Sequence, residues 1–217
     1  MKETRLVSRD TSTSRELARY GSYLLDLSEA GDSVLVALQI MTGENPDHFV
    51  ANQLVSAGVV SYWRCFSASS ERRPLRFADT GVADEGTHLQ TKIYRNKTVA
   101  HSDSGLHTVQ IASGLRRENG TVSVLPAFVL ATAQEPPLEF VRLLDQLIQD
   151  VIDHVQREIE RLRPQLIAEL EGMSPEELWN EAAQPSLGLG LAENWDPNSR
   201  RAKMQSFHIR LPHEAVD

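Results

Sequence analysis

Apolar residues recur at helical spacing in four parts of the chain, and the first of these lies close to residue 1. Thr13 and Glu16 have the spacing of a capping box, and the apolar positions that follow predict a helix over residues 14–30. The glycine-containing sequence at 31–33 should interrupt this helix. The dense apolar stretch over 34–41 is either a buried helix or a strand, because periodicity alone does not separate the two.

Two further helices are predicted before the middle of the chain. Asn45 and Pro46 have the pattern of an N-cap followed by proline at the first helical position, and the helix that they open extends to about Trp63. The next helix covers residues 84–100 and ends at a cluster of helix-stopping residues. Its apolar stripe, which we expect to face the core, consists of Leu89, Ile93 and Ala100.

The pattern then changes from helical spacing to alternation. Residues 108–111 and 121–124 both alternate, and the loop between them ends in Asn119-Gly120, two residues that tolerate the positive φ angles of a tight turn. A β-hairpin over about 106–125 is therefore predicted. We expect it to be peripheral to the helices, since its alternation offers only one face for burial.

The longest predicted helix follows the two prolines at 136–137. Its apolar positions step by three and four from Val141 to Leu162, and Pro164 should kink or end it.

These elements predict a mainly α fold, a helical bundle with a β-hairpin insertion. A capping box with proline at the first helical position adds a short helix over about 175–183. We expect a flexible N-terminus over 1–13, a helical domain over 14–183 and an irregular C-terminal tail over 184–217.

Composition and charge disfavour several classes of protein: general nucleic-acid binders, disulfide-linked secreted proteins and membrane proteins. The 217 residues include 22 basic and 30 acidic ones, and the formal charge of −8 disfavours general, charge-driven binding of nucleic acids. Cys65 is the single cysteine, which excludes an intramolecular disulfide and fits a reducing cytosol. No apolar run is long enough to cross a membrane, and the polar start lacks the apolar region of a secretory signal. We therefore expect a cytoplasmic protein with no membrane partner.

The segment that is most informative about chemistry lies at the end of the third predicted helix. Arg95 is followed by the polar Asn96 and, with five residues between them, by His101 in the sequence Ala-His-Ser-Asp. This segment resembles the signature of the HEPN superfamily, the nucleotide-binding domains of higher eukaryotes and prokaryotes, and in particular its abortive-infection and toxin branch. Outside this segment the resemblance extends over about 14–172 only through the order of the helices.

The resemblance implies a metal-independent endoribonuclease without a cofactor, acting in defence or in a toxin–antitoxin system. In such enzymes the ribose 2′-hydroxyl attacks the adjacent phosphorus and leaves a 2′,3′-cyclic phosphate and a 5′-hydroxyl. His101 would transfer the proton, Arg95 would stabilise the developing phosphorane charge, and Asn96 would hold one of them in place. The resemblance also implies a homodimer whose two motifs line one cleft, RNA as the substrate, and an antitoxin or regulatory protein as a further partner.

Helical geometry constrains this motif. On a continuous α-helix, Arg95 and His101 would lie about 120° apart around the axis and about 9 Å apart along it, so they would not converge on one phosphate. Either His101 leaves the helical path at the break over 102–105, or a second copy of the chain completes the site. Asn96 falls within the apolar stripe of this helix and should point toward the bundle.

Other basic residues are weaker candidates for contacts with RNA. Lys97 would reach the same substrate backbone as His101, but it also fits a solvated surface position. Arg72 and Arg73 either grip RNA or belong to a charged surface loop. No set of histidines, cysteines and carboxylates has a recognisable metal-ligand spacing. The net negative charge supports an alternative class, a catalytically inactive HEPN-like module for binding or assembly.

Overall fold

A computed structural model describes residues 5–69, 72–100, 105–180 and 207–210, and it shows a mainly helical protein with two small antiparallel sheets. The helices are α1 (Ser12–Met41), α2 (His48–Phe66), α3 (Phe77–Thr80), α4 (Glu85–Tyr94), α5 (Leu138–Glu171) and α6 (Pro175–Asn180). The strands are β1 (Arg5–Ser8), β2 (His107–Glu118), β3 (Thr121–Ala133) and β4 (Phe207–Arg210). The predicted fold class, mainly α with a β-hairpin, is confirmed at this level.

The chain divides into two compact units. The first comprises residues 1–24, 68–73 and 154–217, as far as they are described, and contains the start of α1, the end of α5 and the β1–β4 ladder. The second comprises 25–67 and 74–153, and contains α2, α3, α4, the β2–β3 hairpin and the remaining parts of α1 and α5. The described residues of the candidate motif therefore belong to the second unit.

The core of the second unit is built from apolar side chains of α1, α2 and α5. Helices α1 and α2 approach closely at Gly58, where an added Cβ atom would lie 2.6 Å from Cγ2 of Val34. The apolar stripe predicted for α5 is confirmed here by four side chains with no exposed surface, Val141, Leu144, Ile148 and Val151. Helix α5 continues past Pro164 to Glu171, so the proline does not end the helix, and of the two predicted alternatives only a kink remains.

Helix α1 is continuous where the sequence predicts an interruption. Residues 31–33 remain helical, and a Cβ atom at Gly31 would lie 3.3 Å from Nε2 of Gln149, so the glycine permits a close approach of α5. The stretch over 34–41 is likewise helical, which decides between the two alternatives that the sequence leaves open. Glycine costs a helix only about 1 kcal/mol, less than burial of the neighbouring apolar side chains contributes.

Two predicted helix starts are wrong by a few residues. The cap of α1 is Thr11 rather than Thr13: Thr11 Oγ1 accepts from the N–H of Ser14 at 3.1 Å, and Ser14 Oγ accepts from the N–H of Thr11 at 2.8 Å. The cap of α2 is Asp47 rather than Asn45. Several capping side chains stand close together before each helix, and the backbone path decides which of them is used.

The β2–β3 hairpin is confirmed as a separate two-stranded sheet, and it is longer than predicted. Asn119 and Gly120 form its turn with φ angles of 49° and 84°, as expected for the tight turn. The expectation that one face is buried is wrong, because apolar residues along both strands are largely exposed. Pro126 lies at the register shift between the strands, where the ladder does not need its missing N–H group.

Segments that the sequence assigns to a flexible N-terminus and an irregular tail form a short antiparallel ladder. Strand β1 pairs with β4, with Leu6 opposite Ile209 and Ser8 opposite Phe207. Strands of four residues are too short to give a clear alternation signal, and these two partners stand near opposite ends of the chain. Residues 181–183, the predicted end of α6, lie outside the described residues.

Candidate functional site

Helix α4 is attached to α2 by buried polar side chains. Thr91 has no exposed surface, and its Oγ1 accepts a hydrogen bond from the indole Nε1–H of Trp63 at 2.9 Å. His88 is 8% exposed, and its Nδ1 lies 2.8 Å from the phenol oxygen of Tyr62. Both bonds satisfy polar groups of α2 that would otherwise be buried without a partner.

The buried face of α4 is therefore not the predicted apolar stripe. Leu89 and Ile93 are 49% and 55% exposed, and Ala100 is exposed as well. Because α2 presents an indole N–H and a phenol group to α4, side chains that hydrogen-bond are buried and the apolar ones turn outward. The predicted start of the helix is confirmed, since Asp84 accepts from the N–H of Thr87 at 2.9 Å.

His88 lies inside an aromatic cluster. Its ring stacks on Phe77 with the ring centroids 4.1 Å apart, and it contacts Trp63 and Phe66 at 4.7 and 4.8 Å. Removal from water, followed by the nearby charge of Lys92, lowers the pKa of His88 from its ordinary 6.5 to about 4. The ring is therefore uncharged at neutral pH.

We expect the free energy of unfolding to fall as the pH is lowered from about 6.5 to about 4, because the unfolded chain then binds a proton at His88 that the native protein does not. This group contributes a slope of at most about 1.4 kcal/mol per pH unit. Urea denaturation across this pH range measures the slope. His88→Gln is the control, since its amide retains a hydrogen-bonding partner for Tyr62 and does not titrate. Equal slopes for wild type and variant would contradict the expectation.

Tyr94, the last residue of α4, holds the end of the helix in place. It is 8% exposed, its hydroxyl donates to Oδ1 of Asn52 at 3.1 Å, and its ring lies 5.4 Å from that of Phe140. Burial raises the pKa of the Tyr94 hydroxyl, so it remains a donor at physiological pH. The backbone of Arg95 therefore continues from a residue that is fixed on both α2 and α5.

Beyond Tyr94 the helix widens into a π-turn over Arg95–Val99. The N–H of Ala100 donates to the carbonyl oxygen of Arg95, five residues earlier, at 2.9 Å. This bond spans five residues instead of the four of an α-helix, so each residue of the turn advances by a smaller angle than in an α-helix. Single π-turns inside helices are rare and occur frequently at functional sites.

The π-turn presents Arg95 and Asn96 together. Arg95 is partly exposed, and its Nη1 donates to Oδ1 of Asn96 at 3.3 Å. Asn96 is exposed, so the prediction that it points toward the bundle is wrong; it shares the outward-facing side of the helix with Ile93. The guanidinium retains donors beyond the one that this amide engages. Lys97 is exposed on the same turn.

The charge environment of Arg95 differs from that of Arg64 and Arg142, two other arginines of its unit. Arg64 pairs with Glu29 at 2.8 Å, and Arg142 approaches Glu139 at 4.0 Å. Within the described ranges, Arg95 forms no ion pair. An arginine whose described side-chain contact is an amide and not a carboxylate is suited to bind an anionic group of a ligand.

The other predicted site residues are not brought to this π-turn by described contacts. His101 belongs to residues 101–104, which lie outside the described part of the chain. Arg72 belongs to the first unit, where its Nη1 donates to Oγ of Ser22 at 2.6 Å and its guanidinium lies 4.7 Å from the ring centre of Tyr23. Arg73 has an exposed side chain, and its carbonyl oxygen accepts from the Tyr23 hydroxyl. Both arginines remain predicted RNA contacts.

Comparisons with models of protein families, with curated proteins and with solved structures find no match to this chain. Among the described residues, no group of three or more histidine, cysteine and carboxylate side chains is arranged to hold a metal ion. None of the helices in the described part of the chain has both the length and the apolar character needed to cross a membrane. The evidence that bears on function is therefore the HEPN-like segment that begins at Arg95 and the geometry of the π-turn that carries it.

Proposed function

We propose that this protein is a metal-independent endoribonuclease of the HEPN type, acting in defence or in a toxin–antitoxin system. The observation that carries the proposal is the Arg95–Asn96 pair, which an anchored π-turn presents to solvent. The sequence resemblance of residues 95–103 to the HEPN signature supplies the reaction class and the role of His101.

In the proposed reaction, His101 accepts the proton of the ribose 2′-hydroxyl while that oxygen attacks the adjacent phosphorus. The bond between phosphorus and the 5′-oxygen then breaks, and the 5′-oxygen takes up a proton. The products are a 2′,3′-cyclic phosphate and a 5′-hydroxyl. Arg95 donates to the phosphoryl oxygens, whose negative charge grows in the transition state, and Asn96 orients its guanidinium.

The proposal includes a homodimer whose interface passes near Arg95 and His101, and an antitoxin or regulatory protein as a further partner. The chain carries a formal charge of −8, which repels RNA at long range. We therefore place RNA binding at a local cationic site that includes Arg95 and the exposed Lys97, with Arg72 and Arg73 as weaker candidates.

The test is incubation of purified protein with RNA in the presence of EDTA, followed by analysis of the product ends. We expect cleavage to persist in the chelator and to yield 2′,3′-cyclic phosphate and 5′-hydroxyl ends, and we expect His101→Ala to abolish it. His107→Ala is a matched control, because it removes a nearby histidine that lies outside the motif. Products with a 3′-hydroxyl and a 5′-phosphate would contradict the mechanism even if RNA is cut, since they indicate hydrolysis by water.

A second candidate function is that of a catalytically inactive HEPN-like module for binding or assembly. The exposed apolar residues of the β2–β3 hairpin favour it, since surfaces of this kind mark sites of association. A protein that is inert toward RNA in every condition, yet associates through the hairpin, would support this candidate over the ribonuclease.

A further inference from the structure

The turn of the β2–β3 hairpin joins two residues that can react with each other. Asn119 carries a side-chain amide carbon, and Gly120 contributes the next main-chain nitrogen with no side chain beside it. Attack of that nitrogen on the amide carbon closes a five-membered ring, and a bulky side chain on the following residue hinders this attack. Asn119 is the one asparagine of the chain that a glycine follows, so its neighbour opposes the reaction least.

The structure leaves room for this reaction at the tip of the hairpin. Asn119 and Gly120 are both exposed. A Cβ atom added to Gly120 would have no other atom within 4 Å. Water and hydroxide therefore reach the amide, and no neighbouring group obstructs the ring.

The closed turn, by contrast, holds the two reacting atoms apart. The φ angles of 49° and 84° are those of a type I′ turn, in which the ψ angle of the first central residue is about 30°. The Gly120 nitrogen reaches Cγ of Asn119 only after this ψ angle rotates far from that value. The rate of ring closure therefore depends on how often the turn opens.

Opening of the turn uncovers few buried side chains. The apolar residues next to it are already 49–71% exposed; they are Leu115, Val122 and Val124. Among the described strands, β2 and β3 pair only with each other, and a two-stranded hairpin of this kind is marginally stable in water. We therefore expect the turn to be open in at least about a tenth of the molecules.

We propose that Asn119 is a site of spontaneous deamidation. The Gly120 nitrogen loses its proton and bonds to Cγ of Asn119, while the bond from Cγ to Nδ2 breaks and ammonia leaves with that proton. Water then opens the cyclic imide at one of two bonds. Cleavage between the nitrogen and Cγ gives aspartate, and cleavage between the nitrogen and the main-chain carbonyl carbon gives isoaspartate. Each event consumes one water and adds one negative charge to the tip.

The two products differ in their effect on the hairpin. Aspartate suits the first central position of a type I′ turn, so the pairing of the strands is kept. Isoaspartate leads the main chain through Cβ and Cγ and thereby lengthens a two-residue loop whose length sets the strand register. The isoaspartate form should therefore pair its strands less firmly near the turn.

The first test follows conversion of Asn119 in the full chain at mildly alkaline pH and physiological temperature. Trypsin releases the peptide over 118–142, which contains no other asparagine, and mass spectrometry measures its conversion from amide to acid. We expect a rate of no less than about a tenth of that in the urea-unfolded chain, and a rate that rises with pH because the nitrogen attacks in its deprotonated form. A slower rate would overturn the proposal, since the closed turn would then protect the amide.

Two controls show whether the reaction is specific to this site. Asn52 precedes a glutamine, and its side chain accepts a hydrogen bond from Tyr94, so it should stay unconverted over the same period. Asn119→Gly keeps a turn that tolerates positive φ angles but lacks the amide, and its peptide should gain no acid. Conversion of Asn52 at the rate of Asn119 would overturn a specific site.

The second test identifies the products. An isoaspartate-specific methyltransferase should label the peptide over 118–142 from the aged wild type and leave Asn119→Gly unlabelled; an acidic product without label would overturn the cyclic-imide route. Amide hydrogens of β2 and β3 should exchange faster in the aged wild type than in fresh Asn119→Asp, and equal exchange would overturn the loosened pairing. Neither test involves RNA or association of the chain, so the outcome does not depend on the proposed function.

Discussion

If the protein is the proposed ribonuclease, replacing Arg95 with alanine should lower RNA cleavage by about 100- to 1,000-fold, because the transition state would lose a preorganised cationic donor. The fold should be unchanged, since the Arg95 side chain is partly exposed and its described side-chain hydrogen bond goes only to the exposed Asn96. Single-turnover cleavage of a labelled RNA measures the rate, and circular dichroism with thermal unfolding measures the fold.

A lysine at position 95 tests whether cleavage needs only the positive charge or also the paired hydrogen bonds of the guanidinium. Arg95→Lys retains the positive charge but cannot donate two parallel hydrogen bonds to a phosphate, so we expect it to remain at least about tenfold below the wild type. Arg142→Ala is the control, because it removes an exposed arginine of the same unit that lies outside the π-turn. If Arg95→Ala cleaves as fast as Arg142→Ala, Arg95 has no part in the reaction.

Leu144→Ala should lower the free energy of unfolding by about 3 kcal/mol, within the usual range for a fully buried leucine. Leu144 has no exposed surface in the second unit, and its truncation leaves a cavity that a close-packed core fills only in part. Urea denaturation of the two purified proteins measures the difference.

The neighbouring leucine provides a matched comparison. Leu143 is 38% exposed on the adjacent position of α5, so Leu143→Ala removes the same atoms from a partly solvated site and should cost less than about 1.5 kcal/mol. Similar losses for the two variants would mean that α5 presents a different face to the core.

The sequence by itself determined those helices and turns that depend on residues close together in the chain. The apolar stripe of α5 repeats over many turns, and Leu144 and Ile148 are buried as the spacing predicts. The Asn119-Gly120 turn is predicted because its backbone angles suit few other residues. The segment at Arg95 and Asn96 resembles the HEPN signature in its residue types and its position at the end of a helix, and its role stays a prediction.

The tertiary structure decided which faces are buried and where local geometry changes. Helix α4 buries His88 and Thr91 rather than Leu89 and Ile93, because the groups that α2 offers across the contact are hydrogen-bonding ones. Continuity of α1 through Gly31 depends in the same way on contact with α5.

The π-turn also has no signature in the sequence. Asn96 faces solvent because the side of the helix that it shares with Ile93 is the exposed one. Pairing of β1 with β4 joins opposite ends of the chain, a contact that no local pattern encodes. Local propensities act over a few residues, whereas burial depends on which surface a helix meets; only the folded chain specifies that surface.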